Sequence, residues 1–363
     1  MKTKRIKILV AILICCLLMP AVVKAQKLNN QIDSLIMALM PDKQGPGGAF
    51  MVAQKGKIIY QKAFGKANLE LGDNLTVESI FQLGSMTKQF TAVAVLLLEQ
   101  QGKLKVSDPI SKYIPDYPGS DKITIHHLLT HTSGIKDFTK MKALAEIAQK
   151  EMTPKMMVDF FKDEPVDFAP GERFEYNNSG YVLLGYLVEQ VSGEAYAGFI
   201  QQHIFDRIGM DHSYYASDRQ VIHNRAYGYQ KKQNEYVNKT AISFSVPFAS
   251  GALMSTLDDL LKWQKAISQN KLLNASETTK AFSRYKLNNG EIFNYGYGWH
   301  IKEIGGLPVR THGGSIFGFK SMGVYVPGED IYVVGLTNCD CNSPTLLTEN
   351  IAKLVIAGTL KSK

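Results

Sequence analysis

Short strand-like runs crowd both ends of this chain, and a long helical stretch separates them. Gly48–Gln54 and Lys57–Phe64 alternate or run apolar around Lys55-Gly56, the pattern of a hairpin. Four more runs come late, at Gly298–Ile304, Pro308–His312, Ser321–Val326 and Ile331–Leu336, broken by glycines and Pro327-Gly328. Strands so far apart share one antiparallel sheet only if the chain returns to its start. Leu28, Ile32, Leu35 and Leu39 recur at helical spacing over residues 27–40, and Thr345–Thr359 has the same periodicity, so each end also supplies a helix. Between the two strand groups the spacing predicts apolar helices at Phe90–Leu98 (closing near Gly102), Tyr181–Val191 (closing at Ser192-Gly193) and Thr256–Ile267, the last with Ser255 as N-cap. The expected fold is α/β of the α+β type. An antiparallel sheet is flanked by N- and C-terminal helices, and a large, mainly helical lobe is inserted, with a cleft between the two. The sheet lobe is expected at residues 26–80 plus 292–363 and the helical lobe at residues 81–291.

Residues 1–25 read differently. Lys2, Lys4, Arg5 and Lys7 precede an apolar run from Ile8 to Met19, then Pro20 and the small-residue pattern Val23-Lys24-Ala25. That is the layout of a secretory signal, with an apolar core too short to span a bilayer comfortably. Export to the periplasm or beyond is therefore expected, with no stable membrane insertion after cleavage; the alternative is an uncleaved membrane anchor. Five of the chain's 41 basic residues lie in this segment, leaving 36 against 33 acidic, a net charge of +3. The apparent basicity is largely a targeting feature, and nucleic-acid binding loses its support. Cys15 and Cys16 leave with the signal. Cys339 and Cys341 are expected to be plain structural or surface thiols, too close in sequence for an easy bridge.

The chemistry is suggested by Leu83-Gly84-Ser85-Met86-Thr87-Lys88, an S-x-x-K pattern. Residues three apart share a helix face, so the Lys88 amine can approach the Ser85 hydroxyl. A serine needs a base to become nucleophilic, and a lysine serves if its surroundings depress its pKa. The pattern recurs at Ser133/Lys136, Ser268/Lys271 and Ser283/Lys286. Only Ser85 follows a turn glycine and opens a long apolar helix. Further along, Tyr176-x-Asn178 leads into the next helix and can bring a phenol and an amide to the cleft together. His312-Gly313-Gly314-Ser315 then offers small residues whose backbone N–H groups can approach a substrate, as an oxyanion hole requires.

These three elements in this order resemble the serine β-lactamase and penicillin-binding-protein superfamily, in its branch of class C β-lactamases, D-alanyl-D-alanine carboxypeptidases and esterases. Supporting stretches run from Ile123 to Gly134, Phe205 to Met210, Gly251 to Asp258, Tyr295 to Trp299, and Gly318-Phe319. The resemblance implies Ser85 as acylated nucleophile, with Lys88 and Tyr176 sharing general acid and base work. It further implies Asn178 as a substrate amide contact and the backbone N–H groups of Ser85 and Ser315 as the oxyanion hole. No cofactor or metal is implied. The third motif departs from the K-T-G of many β-lactamases, because Gly313 lacks the threonine hydroxyl that could hold a β-lactam carboxylate. The substrate stays open between a D-amino-acid peptide, a small ester and a β-lactam.

Two other readings compete. His127 and His131 stand four apart, a spacing for two metal ligands, but Leu128 occupies the place of a zinc peptidase's glutamate and no third ligand stands out. The other is a non-catalytic protein that still holds cell-wall peptide or another acyl ligand. The oligomeric state is left open. Tyr295, Tyr297 and Trp299 are read as core or cleft lining, with no catalytic part.

Overall fold

A computed structural model describes residues 26–360, Asp218 excepted. The proposed signal segment, with Cys15 and Cys16, lies outside the described residues. Elements that carry the site are, in chain order, helix α1 (residues 26–39), strands β1 (Gly48–Gln54) and β2 (Lys57–Phe64), helices α2 (Thr87–Gln100), α3 (Ile125–Leu129), α4 (Asn178–Ser192), α5 (Phe248–Gly251) and α6 (Leu257–Ser268), strands β3 (His300–Ile304), β4 (Leu307–Ile316), β5 (Phe319–Val326) and β6 (Ile331–Thr337), and helix α7 (Thr345–Leu360).

The six strands form one sheet in the order β3-β4-β5-β6-β1-β2, antiparallel throughout. The chain does return to its start: β1 pairs with β6 from Gly48 opposite Thr337 to Gln54 opposite Ile331. Side chains alternate between two faces, and both faces are covered. Phe50 and Val52 of β1, Val324 and Val326 of β5, and Ile331 and Val333 of β6 pack with Ile32 and Ile36 of α1 and Ile351 and Val355 of α7. Ala49, Met51 and Ala53 of β1, and Val334 and Leu336 of β6, turn the other way onto the helical lobe. Near-continuous apolar runs in β1 and β6 are thus what a strand buried on both faces requires.

Helix α2 is the axis of the helical lobe, with every residue from Thr87 to Leu98 buried. A helix that is apolar all round belongs inside, which makes Lys88 at its first turn the anomaly to explain. Among the described residues no helix is long and apolar enough to cross a membrane.

Two local expectations fail. Thr256, not Ser255, caps α6, accepting the Asp259 N–H at 3.2 Å. Ser255 is the last residue of the strand Leu253–Ser255, and its hydroxyl pairs with that of Ser213. Cys339 and Cys341 are joined in a disulfide. The chain leaves β6 and turns at once, bringing the two Cα atoms to 5.1 Å, within bridging range. The expectation of separate thiols assumed an extended strand end.

Candidate active site

Ser85 lies in a short 3-10 turn, Gly84–Met86, that feeds directly into α2. The turn is wedged against β4. Gly84 adopts a left-handed backbone (φ +53°), and a Cβ there would stand 2.9 Å from the Ser315 nitrogen. A Cβ on Gly314 would meet Leu83 O at 1.9 Å and the Ser85 nitrogen at 2.9 Å. The close approach of β4 to the Ser85 turn thus depends on these two glycines. Ser321 on β5 clamps the same turn by donating its hydroxyl to Leu83 O at 2.7 Å.

One turn on, Lys88 is fully buried, and its Nζ is 3.1 Å from Ser85 Oγ, 2.9 Å from Asn178 Oδ1 and 2.8 Å from Ser250 O. Two of these three partners can only accept. A neutral amine has two N–H groups and one lone pair, so donation to Asn178 and Ser250 leaves the lone pair for the Ser85 hydroxyl. Burial lowers the Lys88 pKa to about 7, against which the charge of Asp137 works in the opposite direction. The site can therefore hold a free amine beside a serine hydroxyl near neutral pH, which is what proton abstraction needs.

Tyr176 sits just before α4, where Asn177 caps the helix by accepting the Gly180 N–H at 2.9 Å. Asn177 also donates from Nδ2 to Ile135 O and from its backbone to His131 Nδ1, which pins the segment. The Tyr176 ring faces the Lys88 amine at 4.9 Å and lies 4.3 Å from the His131 ring. Its hydroxyl is buried and faces the Ser85 side chain, and burial, opposed by that Ser85 contact, raises its pKa, so the phenol keeps its proton. Asn178 lines the cavity, but its amide is engaged inside the protein. Oδ1 accepts from Lys88, and Nδ2 donates to Asp137 and Thr139.

His312 Nδ1 is 2.6 Å from the Gly313 carbonyl, which can only accept, so Nδ1 carries the proton. Nε2 then accepts from the Tyr295 hydroxyl at 3.0 Å. Burial first, then the nearby His300 and Lys88, push its pKa well below that of a free imidazole. His312 is a neutral wall of the cleft and does not supply the charge of a K-T-G lysine. Gly313, Gly314 and Ser315 line the same cavity, of about 890 Å³, with Ser85, Tyr176 and Asn178.

The eight residues singled out from sequence thus converge on one cleft, and its competitors do not join it. Lys136 pairs with Asp167 at 2.8 Å, and the hydroxyls of Ser268 and Ser283 donate to the nearby backbone carbonyls of Lys265 and Thr279. Helix α3 ends at Leu129, and His131 has φ +59°, so the helical spacing of His127 and His131 is lost. His127 Nδ1 instead accepts the Thr124 N–H as part of a capping box. Sequence reasoning missed three participants. The Ser250 carbonyl carries no side-chain signal at all. Asp137 was visible only as Asp137-x-Thr139, an Asx-type turn pattern. Tyr295 is expected as core or cleft lining, and it is buried, yet its hydroxyl donates to His312 Nε2 and holds the imidazole in place.

A profile of the beta-lactamase family matches residues 32–357, from within α1 through the whole sheet to near the end of α7. This chain belongs to the beta-lactamase family. Penicillin-binding protein 4* of Bacillus subtilis (strain 168) is 31% identical over 302 residues, 77% of this chain and 65% of that protein. The chain thus spans about two thirds of the length of the curated relatives it matches. The octameric penicillin-binding protein homologue from Pyrococcus abyssi superposes with a TM-score of 0.80 at 30% identity, covering 90% of this chain and 77% of that one. The D-amino acid amidase from Ochrobactrum anthropi SV3 has the same fold, with a TM-score of 0.79 at 24% identity over 93% of this chain and 99% of that one. This member of the beta-lactamase family is thus similar to penicillin-binding proteins in sequence and in fold.

Proposed function

We propose that the protein is an exported serine hydrolase that opens esters or amides through an acyl-Ser85 intermediate. The observation that carries this reading is the environment of Lys88. Its amine is buried, held by two acceptor oxygens, and 3.1 Å from the Ser85 hydroxyl. Lys88 takes the Ser85 proton as Oγ bonds to the carbonyl carbon. The oxyanion rests on the backbone N–H groups of Ser85 and Ser315. Tyr176, still protonated, relays a proton from Lys88 to the departing alcohol or amine. Water then attacks the acyl-enzyme and the Ser85 hydroxyl is restored.

The substrate follows less directly. The relatives' names point to penicillin-like acylating agents, and a fold neighbour acts on D-amino acid amides. The missing threonine hydroxyl at 313 and the neutral His312 take away two groups that could hold a substrate carboxylate, which favours small esters and amides over β-lactams and over peptides with a free terminal carboxylate. Export is proposed from the basic and apolar character of residues 1–25, and N-terminal sequencing of the secreted form tests it.

The direct test combines a fluorophosphonate probe with a substrate panel. An adduct on Ser85 is expected, absent in Ser85→Ala, with turnover highest on p-nitrophenyl esters and lower on a D-alanyl-D-alanine peptide and a chromogenic cephalosporin. A protein that binds these ligands and is never labelled at Ser85 is a binder and not an enzyme.

A further inference from the structure

Lys88 keeps its lone pair for Ser85 only while Asn178 presents oxygen, not nitrogen, to the amine. An asparagine amide is symmetrical in shape, and nothing in Asn178 itself selects the orientation. Asp137 does. This carboxylate is 3% exposed and, among the described residues, makes no ion pair. It is an acceptor at both oxygens. Oδ1 receives the Thr139 N–H at 3.0 Å, the Thr139 hydroxyl at 2.8 Å and Asn178 Nδ2 at 3.4 Å. Oδ2 receives Asn178 Nδ2 at 3.1 Å and the Asn178 backbone N–H at 3.3 Å. A buried carboxylate cannot face the amide oxygen without repulsion, so Nδ2 must turn to Asp137 and Oδ1 to Lys88.

We infer that Asp137 is a positioning residue for this site, acting through the Asn178 amide to hold the Lys88 amine in the one hydrogen-bond arrangement that can take the Ser85 proton. The inference rests on the hydrolase reading above. It makes the functional unit a chain of four side chains, Ser85, Lys88, Asn178 and Asp137, in which only the first two touch the reacting atoms. Asp137 has a second effect, because its charge raises the proton affinity of Lys88. The other groups facing Lys88 are the Tyr176 and Tyr181 rings, and His131 and His312, which burial keeps neutral and which themselves feel the Lys88 charge. Among the described residues, Asp137 is thus the one negative charge acting on the amine. Facing Asp137 itself are Thr139, Asn178, Lys88 and, at the surface, Lys140, whose charge Asp137 also favours.

The test is the rate of Ser85 labelling by a fluorophosphonate from pH 5 to 9, read by intact mass, with thermal unfolding as a folding control. Asp137→Asn presents an amide where only an acceptor fits, so Asn178 should flip and turn Nδ2 toward Lys88. The expected result is a rate about 10- to 100-fold lower on the plateau. Its acid limb should also move to lower pH, because the charge that raises the Lys88 proton affinity is gone. The exchange variant D137N/N178D restores an acceptor facing Lys88 and places the charge beside it. That ion pair keeps the amine protonated, so the exchange variant should label slowly at neutral pH, with its acid limb displaced above that of the wild type and the rate still climbing at pH 9. A D137N protein labelled at the wild-type rate with an unmoved limb overturns the inference, as does an exchange variant whose limb does not lie above that of the wild type. If D137N does not fold, Asn178→Asp alone should raise the acid limb, and an unmoved limb there overturns it equally. Wild-type protein that never labels at Ser85 instead overturns the hydrolase reading, so the two failures are distinct.

Discussion

Ser85-Met86-Thr87-Lys88 and Ser133-Gly134-Ile135-Lys136 have the same spacing and opposite fates. Ser133 is as buried as many core residues, whereas Ser85 is partly exposed and lines the cleft. The lysines differ. Lys136 reaches the surface, keeps about a third of its side chain exposed and pairs with Asp167. Lys88 is enclosed, with neutral acceptors in place of a carboxylate, and its pKa falls to about 7. A lysine in water or in an ion pair is a cation at any physiological pH and can take no proton. The spacing is common. The dry, neutral cage is what turns a lysine into a base.

The largest effects should separate the two serines. Ser85→Ala is expected to lower kcat/KM by about 10⁴-fold or more, because nothing else in the cleft is placed to attack. Ser133→Ala should leave kcat/KM unchanged. Comparable losses in the two variants would break the comparison.

The lysines come next. Lys88→Met should cost about 10²- to 10⁴-fold in kcat, whereas Lys136→Met should be neutral. Stability should respond with the reverse sign. The Lys88 pKa is near 7 folded and near 10.5 in an unfolded chain, so between those values the unfolded state binds the extra proton. Wild-type stability therefore rises with pH from about 7 to 10, and the full penalty is present below 7. Lys88→Met removes this dependence, so its melting temperature relative to wild type should be most favourable below pH 7 and decline toward pH 10. A pH-independent difference would show that Lys88 is not depressed in the folded state.

How much of this was legible in the sequence follows the physics of each element. The sheet was readable because β1, β5 and β6 are buried and bounded by turns, which leaves a period-two or continuous apolar trace. Ser85 and Lys88 were readable because both act through side chains at fixed helical spacing, and Tyr176-x-Asn178 for the same reason. Ser250 O was not, since a carbonyl belongs to every residue and only the short α5 turn brings it to Nζ. Asp137 was not, since its importance comes from facing Asn178 41 residues away. The Cys339–Cys341 bridge was missed because a turn, not a strand, follows β6.

A smaller effect tests the packing that brings the two backbone N–H groups together. Gly314→Ala drives a Cβ into Leu83 O, so β4 must move away from the Ser85 turn. The expected loss is about 1–3 kcal/mol of stability by chemical denaturation, with a fall in kcat that exceeds the change in KM. An alanine tolerated at full activity would mean that β4 does not set the site. The smallest effect is at the comparison motif: Lys136→Met gives up only a partly exposed ion pair, worth about 0–1 kcal/mol.

The most direct test of the Lys88 cage is the pH dependence of single-turnover acylation of Ser85, followed with an activated ester whose own reactivity is constant from pH 5 to 9. The rate should rise tenfold per pH unit on the acid side and level off around pH 7, and Lys88→Met should lose that limb. A rate that is flat across the range, or a limb that survives in Lys88→Met, would contradict Lys88 as the base.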